Sequence, residues 1–268
     1  MNTFRVFWNS GQGIEFLILW TYRPISIALS ISPSEYIYYR DKYPWYYRLK
    51  RLHIHPYISN TPSLSVNHLR NIAIANATTS HVWLMDLDMI PSDKLYERLY
   101  DLPLSYLQRN DLAIIVPVFS VHYMECSSVE ECEKKSQLVV LITPRLPNDI
   151  PHSKKELMNC IQRKQCVSLN GDDSDHNYLP QRWFNGIRSQ PLDQVHCRRE
   201  DDFNPQVFFE LVINRYIVVR KSLSLPQFDE RFVNNELSRA QWIEHLRYRG
   251  FFFCILMDGF AVELPHSS

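Results

Sequence analysis

The sequence has 268 residues, of which 13% are aromatic and only six are glycine, which is typical of a packed globular protein and excludes a disordered chain. Lysine and arginine total 29, as do aspartate and glutamate, so no net basic field attracts nucleic acid, and we predict no nucleic-acid partner. No apolar run approaches the roughly 18 residues that span a bilayer, and neither a signal sequence nor a membrane anchor is visible.

Strands and helices alternate along the chain, with no internal repeat. We predict a strand over Ile25–Leu29 and a short helix from Ser32 to about Tyr43, which Pro44 ends. The later predicted helices are Val66–Asn76, Ser153–Arg163, which opens on a serine cap, and Asn235–Tyr248. The later predicted strands are Leu52–Tyr57, the apolar run from His81, Ala113–Phe119, Leu138–Ile142, Tyr216–Arg220 and Phe251–Met257. This alternation predicts an α/β fold, with a mixed central sheet flanked by helices and a ligand crevice at the strand ends.

Two carboxylates stand one residue apart at the end of the apolar run that starts at His81. Side chains at i and i+2 leave a strand on the same face, so Asp86 and Asp88 can converge on one oxygen-seeking cation that carries a diphosphate. Unpaired carboxylates are costly at the end of a buried strand, which favours a functional interpretation. A solvated turn or a helix cap is the structural alternative.

The six cysteines leave the redox compartment open. Cys126 and Cys132, like Cys160 and Cys166, are close enough in sequence to pair, and six cysteines permit 15 connectivities. No C-x-x-C or H-x-x-x-H spacing occurs, which argues against a zinc site. Asn76-Ala77-Thr78 is an N-glycosylation sequon, but its position beside a strand predicted to be buried argues against occupancy.

Six blocks, in order from about Trp20 to His266, resemble the LARGE-type and β-1,4-glucuronyltransferase-like domains of glycosyltransferase family 49. Besides the strand that carries Asp86 and Asp88, the blocks are Trp20–Leu29, Val66–Ala73, Val116–Phe119, Phe228–Phe232 and Pro265-His266. The resemblance implies a GT-A type nucleotide-diphospho-sugar transferase fold. It implies one domain over 1–268, with a nucleotide-binding half over about 1–110 and an acceptor-side half over about 111–268.

The implied activity is inverting, metal-dependent transfer of a sugar, with glucuronic acid to be tested first, from a UDP-sugar to a glycan or glycoprotein acceptor. Mn²⁺ or Mg²⁺ is the implied cofactor, since a divalent cation stabilises the charge on a departing nucleotide. The resemblance also implies a Golgi membrane location, although no anchor is visible in this sequence.

The resemblance assigns roles to individual residues. Asp86, Asp88 and His266 are the implied metal ligands, with Asp86 alternatively binding the ribose; a frayed tail is the other interpretation of His266. Asp229 is the preferred general base and Glu230 the second candidate, although acids at a helix start are also favoured by the helix dipole. The implied nucleotide-binding residues are Asn67, Arg70, Asn71 and Arg239, for which an ordinary solvated helix face is the alternative.

Other positions either suggest an acceptor site or depart from the family pattern. His176, Tyr178 and Trp183 resemble a segment near the acceptor, where an aromatic ring stacks on a sugar or packs in the core. Two glycines of the family are missing after Phe232, and Arg239 replaces a lysine. The departures leave two alternatives to the active enzyme: a degenerate domain that binds nucleotide sugar, glycan or a partner protein without turnover, and an unrelated phosphatase with Asp86 as its nucleophile.

Overall fold

The computed structural model describes residues 3–9, 24–42, 52–59, 65–86, 89–121, 150–168, 181–184, 194–197, 216–232 and 237–263. The strands are β1 Thr3–Asn9, β2 Ile25–Ile31, β3 Leu52–Ile58, β4 His81–Leu84, β5 Met89–Pro91, β6 Leu112–Val116, β7 Val118–Val121, β8 Cys166–Ser168, β9 Val195–Cys197, β10 Tyr216–Arg220, β11 Phe252–Leu256 and β12 Ala261–Glu263. The helices are α1 Pro33–Lys42, α2 Val66–Asn76, α3 Leu95–Tyr100, α4 Leu104–Leu107, α5 Lys154–Gln162, α6 Gln181–Phe184 and α7 Leu237–Tyr248. No helix within these ranges combines the length and apolar character needed to cross a membrane.

The chain divides into two compact units. The first consists of Met1–Leu87, Arg109–Leu112 and Ile217–Phe251, and the second of Asp88–Gln108, Ala113–Tyr216 and Phe252–Ser268. The first unit therefore draws on both of the halves that were predicted to meet near residue 110. The single-domain interpretation stays a prediction.

The first unit contains a sheet whose strands follow the order β3-β2-β1-β4-β10. The first four strands run parallel to one another, and β10 runs antiparallel to β4. An almost continuous apolar run such as Ile25–Ile31 is typical of a parallel strand covered on both faces, and the described side chains of β2 are nearly all buried. In the order 3-2-1-4 the chain reverses its direction of travel across the sheet between β1 and β4, which is where ligands bind in doubly wound folds.

The second unit contains the strands β6, β11 and β9 side by side and a separate four-stranded sheet in the order β5-β12-β7-β8. Pro117 separates β6 from β7, and its carbonyl accepts a hydrogen bond of 2.8 Å from the Ala261 amide. Because proline has no N–H to donate to a ladder, the predicted run Ala113–Phe119 forms two strands instead of one.

Most predicted elements lie where the sequence places them. The helix Val66–Asn76 and the strand Tyr216–Arg220 match residue for residue, and Ser153 caps α5 by accepting a hydrogen bond from the Glu156 amide. The apolar run that begins at His81 stops as a strand at Leu84, and Met89–Pro91 pairs in the other unit. The predicted strand Leu138–Ile142 and the Cys126–Cys132 pair lie outside the described residues.

Two disulfides staple the second unit. Cys160–Cys166 closes a loop with a sequence separation of 6 at the end of α5, as the spacing allowed. Cys197–Cys254 joins directly opposite residues of β9 and β11 across a sequence separation of 57, a pair that the sequence did not reveal.

We predict that the two disulfides differ in their contribution to stability. In the chain-entropy model a cross-link stabilises more when it closes a longer loop, which gives about 4 kcal/mol for Cys197–Cys254 and about 2 kcal/mol for Cys160–Cys166. Urea unfolding of the double alanine variants Cys197→Ala/Cys254→Ala and Cys160→Ala/Cys166→Ala measures the difference. Equal losses in the two variants would contradict the expected order.

Candidate functional site

Asp86 follows β4 by two residues in the first unit, at the carboxyl end of the parallel strands. Its carboxylate is partly exposed, and Arg239 Nη2 donates to both oxygens, at 2.8 Å and 2.9 Å. The side chain of Arg239 is only 14% exposed, so this ion pair is shielded from water on the arginine side. The structure thus places a predicted metal ligand and a predicted diphosphate-binding cation in direct contact.

The other two predicted metal ligands, Asp88 and His266, lie outside the described residues. Within the part of the chain that the structure describes, no three His, Cys, Asp or Glu side chains converge in a way that could hold a metal ion. The three-ligand site therefore stays a prediction, of which the Asp86 carboxylate is the described member.

The predicted nucleotide-binding residues of α2 all contact a segment that returns from later in the chain, residues 226–232. Asn67 is completely buried, and its Nδ2 donates to the Asp229 carbonyl at 2.8 Å. Asn71 Nδ2 donates to the Phe228 carbonyl and its Oδ1 accepts from the Phe228 amide, both at 2.9 Å. The side-chain amides of Asn67 and Asn71 thus satisfy backbone hydrogen-bonding groups of the 226–232 segment and fix its position.

Arg70 connects α2 to both the 226–232 segment and the start of α7. Its Nη1 donates to Asn67 Oδ1 and to Ser238 Oγ, each at 2.9 Å, and its guanidinium lies 5.2 Å from the centre of the Phe228 ring. The side chain is 7% exposed, and a guanidinium buried to that extent requires such partners. Arg70 is a positioning residue in this structure, and its contact with a nucleotide stays a prediction.

Aromatic packing holds the 226–232 segment from the side of α7. The rings of Phe228 and Trp242 are stacked with their centres 4.3 Å apart, and Trp242 Nε1 donates to the Pro226 carbonyl at 2.8 Å. Both rings are buried, so they stabilise the segment by removing apolar area from water as well as by stacking.

Asp229, the preferred general base, is held by its neighbour Arg231. The Arg231 side chain donates to both carboxylate oxygens and the Arg231 amide donates at 3.0 Å. These hydrogen bonds, with the guanidinium charge, lower the pKa of Asp229 to about 2. Such a carboxylate is ionised throughout the neutral range but is a weak proton acceptor until Arg231, which is 88% exposed, moves away.

Glu230, the second candidate base, is paired on both oxygens. Asn71 Nδ2 donates to one at 2.9 Å and His68 Nδ1 lies 2.8 Å from the other. The hydrogen bond from Asn71, followed by the contact with His68, lowers the pKa of Glu230. The His68 ring also packs edge-on against Tyr57, at 5.1 Å between ring centres.

Trp183, which resembles an acceptor-side residue, belongs to the core of the second unit. Its ring is completely buried, stacks on Phe119 at 5.4 Å and donates through Nε1 to the Leu256 carbonyl at 3.0 Å. In this arrangement the ring has no face open to a sugar, so the packing interpretation describes it. His176 and Tyr178 lie outside the described residues.

Lys154 lies against Trp183 and was not singled out by the sequence. Its Nζ is 4.2 Å from the centre of the Trp183 ring and donates to the Met257 carbonyl at 2.8 Å. Burial lowers the pKa of Lys154 to about 8, with Asp258 acting in the opposite direction. Because Lys154 opens an amphipathic helix in a run of polar residues, no sequence signal separates it from an ordinary surface lysine.

Comparison with known proteins gives the family. A sequence family described as "Glycosyl-transferase for dystroglycan" matches residues 48–264, most of the chain. The chain is 25% identical over 218 residues to the glycosyltransferase-like protein gnt14 of Dictyostelium discoideum, and 25% identical over 249 residues to the xylosyl- and glucuronyltransferase LARGE2 of Mus musculus. These alignments cover 79% and 91% of this chain but 28% and 31% of the relatives, so the chain spans about three tenths of their length.

Two solved structures show the fold. The chain matches S. aureus TarS 1-349 with a TM-score of 0.50 at 10% identity, covering 98% of this chain and 60% of that one. It matches GalNAc-T7, solved with UDP, GalNAc and Mn²⁺, with a TM-score of 0.51 at 7% identity, covering 99% and 44%. Both are GT-A glycosyltransferases, which confirms the predicted GT-A type α/β fold.

We predict that Asn71 is a major stabilising contact of this site. Asn71→Ala removes two hydrogen bonds to the Phe228 backbone and one to Glu230, and the lost bonds and unpaired groups are expected to lower the unfolding free energy by about 1–3 kcal/mol. Urea unfolding measures this change.

Asn159→Ala is the matched control, because Asn159 is exposed on α5 and the gain in helix propensity is the same. The control is expected to stay within about 0.5 kcal/mol of the parent chain. Equal stability of the two variants would show that Asn71 does not hold the 226–232 segment.

Proposed function

The chain belongs to the glycosyltransferase family described as "Glycosyl-transferase for dystroglycan", and from that premise we propose that it transfers a sugar, with inversion at the anomeric carbon, from a UDP-sugar to a glycan or glycoprotein acceptor. Glucuronic acid is the first donor sugar to test, because the chain resembles glucuronyltransferase-type domains. Xylose is the second, because LARGE2 is named a xylosyl- and glucuronyltransferase.

The observation that carries this proposal is the position of Asp86. It follows β4 in a parallel sheet of order 3-2-1-4, next to the point between β1 and β4 where doubly wound folds bind their ligands. At that point the Asp86 carboxylate can bind a cation and the Arg239 guanidinium can bind a diphosphate.

Mn²⁺ or Mg²⁺ is the proposed cofactor, with Asp86, Asp88 and His266 as its ligands. Two carboxylates and an imidazole are a donor set that suits Mn²⁺, and the carboxylates alone suit Mg²⁺. Asp86 fits this role because its carboxylate is partly exposed beyond a buried strand. When bound, the cation supplies Lewis-acid stabilisation of the charge on the departing UDP.

Arg239 is proposed to exchange partners when the donor arrives. In its present position it neutralises Asp86, and a cation at Asp86 would compete with it for the same two oxygens. The guanidinium would then be available to donate to diphosphate oxygens, for which its planar fork is well suited.

Asp229 is proposed to take the proton from the acceptor hydroxyl as that oxygen attacks the anomeric carbon and the bond to UDP breaks. In this role Asp229 would first lose its contact with Arg231, whose hydrogen bonds lower the pKa of the carboxyl to about 2. Glu230 is the second candidate for this role, and its contacts with His68 and Asn71 would likewise have to break first.

A binding domain without turnover is the second candidate function. The pairing of both Asp86 oxygens with Arg239, and of Asp229 with Arg231, favours it, because each acid already has a partner. Membership of a glycosyltransferase family argues against the phosphatase interpretation of Asp86.

A Golgi location is proposed from the resemblance and is supported by the disulfides. Cys160–Cys166 and Cys197–Cys254 are the kind of bond that forms and persists in oxidising compartments.

The test of the proposed function is release of UDP from UDP-glucuronic acid, UDP-xylose and other UDP-sugars, with an acceptor glycan present and with Mn²⁺ or EDTA. We expect turnover with one donor, its loss in EDTA, and a decrease of roughly 10²–10³-fold in Asp86→Asn and in Asp88→Asn, as when one charge-stabilising group is removed. Asp41→Asn, at an exposed position on α1, is the control that keeps full activity.

Arg239 variants test the proposed exchange of partners, and UDP binding without turnover separates the two candidate functions. Arg239→Lys keeps a cation and is expected to retain most of the turnover, whereas Arg239→Gln is expected to lose it. Binding of UDP with Mn²⁺ measured by calorimetry, without turnover of any donor, would establish the binding domain instead of the enzyme.

The pH dependence of kcat/KM identifies the base. A base must be ionised, so removing groups that favour its ionised form raises its pKa and moves the acid limb of the profile to higher pH. If Asp229 is the base, Arg231→Ala is expected to move the limb up towards the ordinary aspartate pKa and Asn71→Ala to leave it unchanged. The reverse pattern would assign the proton transfer to Glu230.

A further inference from the structure

Asn76-Ala77-Thr78 is the only Asn-X-Ser/Thr sequence in the chain with X other than proline. The sequence places it beside a strand predicted to be buried, which argued against its modification. In the structure β4 is buried, but Asn76 and Thr78, which precede it, are exposed, so burial of the strand does not prevent modification.

The two side chains that define the sequon, those of Asn76 and Thr78, are exposed to solvent. Asn76 is the last residue of α2, and Ala77 has the extended dihedrals φ −60° and ψ 126°. Exposure alternates from there, with Ala77 and Thr79 buried and Asn76, Thr78 and Ser80 exposed. The Asn76 and Thr78 side chains are therefore both accessible from solvent.

The hydrogen bond of Asn76 is compatible with a sugar. Its Nδ2 donates to the Ile72 carbonyl, four residues earlier in the same helix, at 2.8 Å. A primary amide nitrogen carries two hydrogens, and formation of an N-glycosidic bond replaces one of them. The second hydrogen remains for the bond to Ile72, so modification breaks no contact that fixes the fold.

The disulfides place the chain in a compartment where this modification occurs. Cys160–Cys166 and Cys197–Cys254 are the kind of pair that persists in the ER lumen or in secreted proteins, where Asn-X-Ser/Thr sites also receive their glycans.

The position of Asn76 keeps a glycan away from the candidate site. It lies nine residues after Asn67 on α2, which corresponds to about 14 Å along the helix axis at 1.5 Å per residue. It also precedes the amino end of β4, whereas Asp86 follows the carboxyl end of that strand. A glycan at Asn76 would therefore project near the amino end of β4, whereas Asp86 lies beyond its carboxyl end.

We propose that Asn76 is an N-glycosylation site of this protein. The Asn76 Nδ2 attacks the anomeric carbon of an oligosaccharide carried on a lipid diphosphate, forms the C–N bond, loses one proton and releases the lipid diphosphate. The Thr78 hydroxyl is the recognition group that the sequon requires.

The test is expression of the chain with a secretory leader in eukaryotic cells, followed by peptide N-glycosidase F in heavy-oxygen water and mass spectrometry of the tryptic peptide Asn71–Lys94. We expect conversion of Asn76 to labelled aspartate, and a faster-migrating protein after the enzyme. Asn76→Gln and Thr78→Ala are expected to abolish both changes, whereas Thr78→Ser, which keeps the sequon, is expected to retain them.

Secreted protein with both disulfides formed and with Asn76 entirely unmodified would overturn the proposal. So would label at this peptide that persists in Thr78→Ala. Because Asn76 and Thr78 are exposed, the variants are expected to keep the urea midpoint of the deglycosylated parent, so that loss of the glycan is distinguished from misfolding.

Discussion

The burial of Asn67 and Arg70 is the constraint on which the arrangement of the first unit depends. A buried amide left without partners costs about 1–3 kcal/mol, and a buried guanidinium costs more. Their partners are the Asp229 carbonyl and the Ser238 hydroxyl, at sequence separations of 162 and 168. The buried polar side chains of α2 therefore find all these hydrogen-bond partners only when the 226–232 segment and the start of α7 have packed against the helix.

This constraint also positions the groups that the chemistry would use. Arg70 donates to Ser238, and the next residue, Arg239, pairs with Asp86, so α2 fixes the start of α7 from which Arg239 reaches Asp86. Asp229 and Glu230 lie on the segment that Asn67 and Asn71 hold. Two of the blocks that resemble the family, Val66–Ala73 and Phe228–Phe232, are thus two sides of one interface.

The sequence predicts local structure well wherever a local signal exists. Helix α2 was predicted to the residue because apolar and polar positions alternate with helical period. Helix α5 was predicted over Ser153–Arg163 from its serine cap, and the structure adds that Glu156 completes a capping box with Ser153. The cross-strand bond Cys197–Cys254 was not predictable, because a separation of 57 residues carries no pairing signal. The partners of Arg70 and Asn71 were missed for the same reason: the polar face of a helix does not say what covers it.

The paired state of the acids favours a binding domain, but it is also compatible with catalysis if the partners exchange when the donor binds. Asp86 and Asp229 are partly exposed and Glu230 is exposed, and each carboxylate already has hydrogen-bond partners, which are Arg239, Arg231, and Asn71 with His68, respectively. The pairs with Arg231 and His68 lie at the surface, where an ion pair contributes little to stability, so a ligand can displace these partners at small cost. A nucleotide diphosphate with its divalent cation brings both a cation for Asp86 and anionic oxygens for Arg239, so the exchange leaves neither Asp86 nor Arg239 without an ionic partner. Whether the exchange occurs is therefore decided by the geometry of the donor complex and not by a loss of charge pairing.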